Sequence, residues 1–265
     1  EAGLSTPEVY AADTASGLLL LEDFGHAGVV IDGEPVEGRY RVAIEALAHL
    51  HGTPRPDELR VDGKAAHRLL HLTGDALLAE IGVFADFYAP HVRGAPLPSE
   101  ARAELIAIWR ELDRHLARHE RSWVLFDVQS PNLFWLPERE GVARIGFIDF
   151  QDMFVGPSAY DVASLCQDAR VTIPADMEDR LADHYVRLRR AADPAFDTDS
   201  FRAAYAVTAA LRTAKNMGAF SRLAAIGNTS YLSHLRRLRA YLARAVSHPV
   251  LSPFALWYEK HLPPL

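Results

Sequence analysis

Two short apolar runs that each end in a lone aspartate constrain this chain more than any other feature. "WVLF" is followed by Asp127, "RIGFI" is followed by Asp149, and a polar turn between them closes with Asn132. Runs rich in β-branched and aromatic residues between turn residues are typical of strands. We therefore predict strands over 123–126, 133–136 and 144–148. If these strands pair, the three polar side chains lie at one end of a small sheet.

The rest of the chain has mainly helical periodicity. A hairpin is predicted over 8–12 and 18–22, on either side of the turn residues "TASG", and the glycine-rich stretch 25–38 reads as a connector. Apolar residues then recur at helical spacing. The predicted helices cover 40–52, 101–119, 158–169, 176–193, 198–222, 230–246 and 252–262. This order, with a strand-containing start, a helical body and a compact β insertion, is an α+β chain.

Composition narrows the classes of partner. A net charge of −7 over 265 residues argues against a nucleic-acid-binding surface. The single cysteine, Cys166, excludes an internal disulfide and fits a reducing compartment. No apolar run approaches the roughly 20 residues that span a bilayer. We therefore expect a cytoplasmic protein that binds neither nucleic acid nor a membrane; its oligomeric state stays unknown.

The aspartates and the asparagine together suit phosphoryl transfer. One carboxylate can orient an attacking hydroxyl and accept its proton, while a second carboxylate and a carboxamide supply the oxygen ligands that Mg²⁺ prefers. Asn132 lies five residues after Asp127, and Asp149 lies 22 residues after Asp127. A D-x-x-x-x-N spacing followed by an aspartate after an apolar strand is the pattern of kinase catalytic and metal-binding loops. Taken singly, Asp127 and Asn132 would more readily be turn residues, since both types favour turns.

The segment "DVQSPNLFWLPEREGVARIGFIDFQDMFVGPSAYDVASLCQDAR" resembles the core of the aminoglycoside phosphotransferase-like kinases, a protein-kinase-like family. Within that family it is most similar to the branch that phosphorylates N-acetylmuramate and N-acetylglucosamine at the anomeric hydroxyl. The likeness continues into "LRTAKNMGAFSRLA", which resembles the Arg-x-x-Lys helix of that branch. With the hairpin and the "LEDFG" hinge it covers nearly the whole chain. It implies a protein-kinase-like fold, mainly the helical carboxy-terminal lobe with a remnant of the amino-terminal β lobe.

The resemblance also implies a role for each matching residue. Asp127 matches the catalytic base, and Asn132 and Asp149 match the Mg²⁺ ligands. Asp161, in "GPSAYD", matches an acid that braces the catalytic loop, a structural role. The backbone of the hinge would hold the adenine of ATP, and its residues are Leu21, Glu22, Asp23 and Phe24.

Substrate contacts are implied less directly. Arg212 and Lys215 fall where related sugar kinases have basic residues facing the substrate, although solvated helix charges are an equal alternative. Such a basic pair would suit the lactyl carboxylate of muramate. Asp152, together with Gln151, follows the metal aspartate and is a weaker candidate.

The implied domains are residues 1–24, the remnant of the β lobe with the hinge, and 25–265, the helical lobe with its catalytic insertion at 122–152. Two features depart from the family pattern. Leu125 and Phe126 occupy positions where the family has His and then Arg or Gly. No lysine precedes the hinge, and the chain starts at Glu1 as if a helix were ending there, so we expect that an amino-terminal part of the natural protein is absent.

The sequence thus predicts an ATP- and Mg²⁺-dependent phosphotransferase that acts on a hydroxyl of a small amino sugar. Two alternatives stay open. The first is a kinase for aminoglycosides, choline or another small alcohol. The second is a catalytically inactive nucleotide-binding or scaffold relative, which the departures at Leu125 and Phe126 would suit.

Overall fold

The computed structural model describes residues 3–56, 58–60 and 66–265, so the helix end expected at Glu1 lies outside the described residues. The helices of this part are α1 (Glu37–Gly52), α2 (Gly74–Val83), α3 (Ala89–Arg93), α4 (Ser99–Leu116), α5 (Ala159–Cys166), α6 (Ala175–Ala192), α7 (Thr198–Ala225), α8 (Leu235–Ala245) and α9 (Ser252–His261). Its strands are β1 (Val9–Asp13), β2 (Leu18–Leu21), β3 (Val30–Ile31), β4 (Glu34–Pro35), β5 (Glu58–Leu59), β6 (His67–Arg68), β7 (Leu70–His71), β8 (Arg121–Val124), β9 (Leu133–Trp135), β10 (Ile145–Phe147) and β11 (Phe154–Pro157). Along these ranges, none of the helices combines the length and the apolar character that a bilayer crossing requires.

The predicted strands around the two aspartates form, but not as one sheet. β9 pairs antiparallel with β10, whereas β8 pairs antiparallel with β11, which is also joined to β7. The three strands thus lie in two sheets, not in the one small sheet that they would form if all of them paired with one another. The missing partner, β11, has the sequence "FVGP", in which glycine and proline mask the strand signal. Pro157 is tolerated because it stands at the end of the strand, opposite Arg121.

Most predicted helices form with ends shifted by a few residues. The prediction over 230–246 divides into a 3₁₀ turn, Ser230–His234, and α8. The sequence reading missed α2 and α3, which continue into each other through a π-helical turn at Phe84–Tyr88. The hairpin β1–β2 forms as expected, with register Val9 to Leu21 at its base.

Helix α7 lies at the centre of the helical body, against α2, α5 and α8. Its approach to the end of α2 is close, because a Cβ atom on Gly218 would lie 2.5 Å from the carbonyl oxygen of Val83. Only glycine fits such backbone contact without a shift. Since α5 carries Asp161 and α7 carries Arg212 and Lys215, this packing brings the predicted site residues of both helices to one region.

Candidate active site

The chain turns sharply between the end of β8 and Asp127. Phe126 has a φ of 79°, in the left-handed region that a bulky residue rarely adopts, and the N–H of Asp127 donates to the carbonyl oxygen of Leu125 at 3.1 Å. Such a backbone costs about 1–3 kcal/mol and persists only where its surroundings enforce it. The turn leaves the Asp127 side chain 37% exposed, so its carboxylate can be reached by a small molecule.

Asp161 and Arg212 hold this turn in place. The buried Asp161 carboxylate accepts the backbone N–H groups of Leu125 at 2.7 Å and Phe126 at 3.1 Å. From α7, Nη1 of Arg212 donates to the carbonyl oxygen of Phe126 at 2.7 Å. The backbone N–H and the carbonyl group of Phe126 are therefore both hydrogen-bonded to charged side chains, which make stronger hydrogen bonds than neutral ones. Asp161 thus contacts the loop where the sequence placed a bracing acid, and its role stays a prediction.

A buried histidine lies behind Asp161. Nε2 of His51 is 3.5 Å from Oδ2 of Asp161, and both side chains are fully buried. Nδ1 of His51 contacts the hydroxyl of Tyr185 at 2.8 Å, and that hydroxyl accepts a hydrogen bond from Arg189 at 3.0 Å. His51 thus lies between the carboxylate that contacts the loop and the Tyr185 hydroxyl, with one ring nitrogen facing each. Sequence reading missed this histidine, which lies more than 70 residues before the loop.

The amide of Asn132 joins Asp127 to Asp149. Its Nδ2 donates to the backbone oxygen of Asp127 at 2.9 Å and to Oδ2 of Asp149 at 3.3 Å. Asp149 follows β10 with a φ of 61°, and its Oδ1 accepts from Nε2 of Gln151 at 2.7 Å. Although the strands lie in separate sheets, the three predicted polar residues do come together. The backbone explains this, because the N–H of Ile148 donates to the carbonyl oxygen of Asn132 at 3.1 Å.

Asn132 and Asp149 fit a magnesium ion that also binds phosphate. The two hydrogen bonds use Nδ2 of Asn132 and leave its oxygen as a ligand, beside an exposed carboxylate. Across the described ranges no group of three or more His, Cys, Asp or Glu side chains could hold a metal by itself. Mg²⁺ characteristically takes one or two protein oxygens and completes its shell with water and substrate phosphates. The donor set therefore suits Mg²⁺ bound together with a nucleotide.

A second buried acid, Asp168, supports the turn that carries Asn132. Its Oδ2 accepts the N–H of Ser130 at 2.6 Å and the hydroxyl of Tyr40 at 3.3 Å, while Oδ1 accepts the N–H of Arg170 at 2.7 Å. Burial raises the pKa of Asp168. Sequence reading missed this residue, although an acid two residues after the apolar run "VASLC" is a signal for a buried, hydrogen-bonded carboxylate.

A cavity of about 180 Å³ opens beside Asp127. Its polar lining consists of Asp127, Gln129, Arg170, Arg212, Lys215 and Asn216. The structure thus brings the predicted substrate residues Arg212 and Lys215 to the candidate base. Asp152, the third of them, lies exposed in the turn after Asp149 and is not part of this lining.

Arg212 and Lys215 both have acidic neighbours. Nη2 of Arg212 lies 3.9 Å from Oδ1 of Asp127, and Nζ of Lys215 lies 2.8 Å from Oε1 of Glu80. Burial works to lower the pKa of Arg212, but Tyr160 and Asp127 outweigh it, and the net shift is upward. The guanidinium therefore stays charged while it holds the loop.

The predicted hinge is docked on the β9–β10 hairpin. The Phe24 ring covers Gly146, where a Cβ atom would lie 2.6 Å from the ring carbon Cε2. Arg139 pairs with Glu22 at 2.5 Å, and its guanidinium lies 5.1 Å from the centre of the Phe24 ring. Because the same hairpin begins directly after Asn132, the hinge and the candidate metal ligands are fixed to one element.

Comparisons with known proteins identify the family of this chain. Residues 1–198 match the model of the phosphotransferase enzyme family. A protein of Caulobacter vibrioides named N-acetylmuramate/N-acetylglucosamine kinase is 35% identical over 268 aligned residues, which cover 98% of this chain and 71% of that protein.

Solved structures share the fold. A choline/ethanolamine kinase family protein from Mesorhizobium loti superposes with a TM-score of 0.57 at 16% identity, covering 98% of this chain and 79% of its own. The GDP complex of aminoglycoside 2'-phosphotransferase-IIIa gives a TM-score of 0.54 at 15% identity, with coverages of 91% and 76%. The fold class expected from the sequence, α+β and protein-kinase-like with a helical lobe, is confirmed.

Proposed function

We propose, because this chain belongs to the phosphotransferase enzyme family, that it transfers the γ-phosphoryl group of ATP to a hydroxyl of an amino sugar. The acceptors we propose are N-acetylmuramate and N-acetylglucosamine, the sugars named for the Caulobacter relative. One observation carries the proposal: Asn132 is hydrogen-bonded both to the backbone of Asp127 and to the carboxylate of Asp149. These hydrogen bonds support the proposal because they join Asp127, the proposed base, to Asn132 and Asp149, the proposed metal ligands, and Asp127 lines a cavity.

Asp127 is the proposed catalytic residue. Its carboxylate would orient the acceptor hydroxyl for in-line attack and accept the hydroxyl proton. Arg212 lies 3.9 Å from Oδ1 of Asp127, so it favours one orientation of the carboxylate while its other nitrogen holds the Phe126 carbonyl. Asp161 would keep the loop in the same position from the opposite side.

Asn132 and Asp149 are the proposed ligands of Mg²⁺, which when bound neutralises negative charge that develops on the phosphates. Both side chains are oriented by the chain itself, through the hydrogen bond between them and through Gln151. The backbone of Leu21, Glu22, Asp23 and Phe24 would receive the adenine, beside the β9–β10 hairpin that begins directly after Asn132. An ATP-consuming reaction is expected in the cytoplasm.

The charge of the cavity disfavours the alternative acceptors. Choline and aminoglycosides are cationic, and sites for cations are built from carboxylates or aromatic faces. Here the cavity beside Asp127 is lined by Arg170, Arg212 and Lys215. A neutral or acidic sugar fits this lining better. Asp152, the one acid predicted for substrate binding, stays a weaker candidate because it lies outside the cavity.

An ATP-consumption assay with four acceptors tests the proposal. We expect the full-length protein to turn over N-acetylmuramate and N-acetylglucosamine, and choline or an aminoglycoside far more slowly. Asp179→Asn, an exposed change on α6, serves as a control for handling of the protein and should keep full activity. Turnover of choline or the aminoglycoside alone would replace the proposed acceptor. No turnover with any acceptor, despite ATP binding, would favour the inactive relative.

A further inference from the structure

The three cations of the cavity beside Asp127 are not equivalent. Arg212 is 8% exposed and is occupied by the Phe126 carbonyl and the Asp127 carboxylate. Lys215 is paired with Glu80, and its ammonium group lies 4.0 Å from the centre of the Phe126 ring. Both cations are thus committed to groups of the protein. A ligand would have to break an existing contact to use either of them fully.

Arg170 differs from both. Its backbone N–H is bonded to Asp168, but among the described residues no carboxylate pairs with its guanidinium. The residue is exposed at the cavity, and the guanidinium lies 5.3 Å from the centre of the Tyr231 ring. A guanidinium on an aromatic face is kept in one orientation and retains its hydrogen-bond donors at the edge. Arg170 therefore presents unused donors at the cavity mouth.

The surroundings of Arg170 reinforce its positive charge. Arg237 on α8 binds a hydroxyl and a backbone carbonyl, of Thr172 and Ala169, and no carboxylate in the described part of the chain. Ala169 belongs to the same cavity wall as Arg170. Although the protein has a net charge of −7, this edge of the cavity carries a local excess of positive charge, which attracts an anionic ligand.

We propose that Arg170 is the residue that selects an acidic acceptor: its guanidinium binds the carboxylate of an N-acetylmuramate-type sugar whose reacting hydroxyl lies at Asp127. This inference rests on the proposed function and refines it. The planar guanidinium suits a carboxylate through two parallel hydrogen bonds, which an ammonium group cannot reproduce. The sequence suggested Arg212 and Lys215 for binding this carboxylate. In the structure Arg212 is bonded to the loop and Lys215 to Glu80, so both residues position protein groups.

The test compares two acceptors that differ in the carboxylate. Steady-state kinetics of the full-length protein with N-acetylmuramate and with N-acetylglucosamine would be measured for Arg170→Gln, which removes the charge. Arg170→Lys keeps the positive charge but loses the planar guanidinium that can make two parallel hydrogen bonds. Arg236→Ala is the matched control, because Arg236 is an exposed arginine on α8 that lines a separate cavity with Tyr88 and His91.

We expect Arg170→Gln to raise KM for N-acetylmuramate at least about tenfold, from the loss of a charge-assisted pair, with kcat nearly unchanged. For N-acetylglucosamine kcat/KM should stay within about twofold, since that sugar has no carboxylate. Arg170→Lys should recover part of the loss. An equal fall with both sugars, or no change with N-acetylmuramate, would overturn the assignment.

Failure of the proposed function has a different signature. If the unsubstituted protein phosphorylates neither sugar, the proposed reaction is wrong. Calorimetry with N-acetylmuramate then tests the carboxylate site at Arg170 independently of any reaction. Binding that is lost in Arg170→Gln and kept in Arg236→Ala would support the carboxylate site. Equal binding by both variants, or no binding by the unsubstituted protein, would remove it.

Discussion

Replacing Asp161 should destabilise the protein and slow its reaction together. Its carboxylate accepts the N–H groups of Leu125 and Phe126, at 2.7 and 3.1 Å, at a position without solvent. Asp161→Ala leaves a buried donor, the N–H of Leu125, and a part-buried donor, the N–H of Phe126, without this partner. Asp161→Asn keeps the shape and one acceptor oxygen, but turns an NH₂ group toward one of the two donors.

The magnitudes follow from those two hydrogen bonds. A hydrogen bond to a charged group contributes roughly 1.5–3 kcal/mol, so Asp161→Ala should lower the free energy of unfolding by about 3–6 kcal/mol. Asp161→Asn loses about one of the two hydrogen bonds, which should lower the free energy of unfolding by roughly 1.5–3 kcal/mol. Because the φ of 79° at Phe126 is then less well enforced, Asp127 shifts, and a displacement near 1 Å can reduce turnover on the order of 100-fold.

Urea unfolding, analysed by linear extrapolation, measures the loss of stability. The loss of turnover is measured as kcat of the folded fraction. Asp179→Asn provides an aspartate-to-asparagine change on an exposed helix face, where we expect less than about 0.5 kcal/mol. If Asp161→Asn is as stable as that control, Asp161 does not brace the loop. If turnover disappears while stability stays unchanged, Asp161 acts in the chemistry itself and not by bracing the loop.

Three further changes probe the hinge, the helical body and a buried histidine. Gly146→Ala should push the Phe24 ring away and raise KM for ATP several-fold, whereas Gly38→Ala, which meets nothing within 4 Å, should not; initial rates at varied ATP decide. Gly218→Ala should cost about 1–3 kcal/mol of unfolding free energy in urea, since its new Cβ meets backbone at 2.5 Å. Burial lowers the pKa of His119 from 6.5 to about 4, so its neutral form is favoured in the folded protein. Stability should therefore fall as the pH drops from about 6.5 to 4, by up to roughly 3 kcal/mol, and urea titrations at both pH values should show a smaller fall in His119→Gln.

Local patterns sufficed for the parts of the site that adjoin strands. Asp127, Asn132 and Asp149 could be found because apolar runs ending in turn residues mark strand ends, and polar residues at strand ends tend to meet. The pairing of those strands could not be found in the same way. It depends on β11, whose Gly156 and Pro157 read as a turn when taken without β8 beside them.

Contacts between distant residues were also out of reach. His51 touches Asp161 across 110 positions of sequence, and Glu80 reaches Lys215 across 135. Neither pair has a local signal, because the packing of whole helices creates it. For the same reason the sequence presented Arg212 and Lys215 as available cations, and only the structure distinguishes them from Arg170.

The convergence of Asp127 and Asp149 on one nucleotide–acceptor complex is tested most directly by separating binding from turnover. ATP affinity with and without Mg²⁺ would be measured by calorimetry, beside kcat with N-acetylmuramate, in Asp127→Asn and Asp149→Asn. We predict that Asp127→Asn keeps Mg²⁺-dependent ATP affinity within about threefold while kcat falls at least about 100-fold. Asp149→Asn should instead weaken Mg²⁺-dependent ATP binding at least about tenfold. Unchanged ATP affinity in Asp149→Asn, or surviving turnover in Asp127→Asn, would contradict this account.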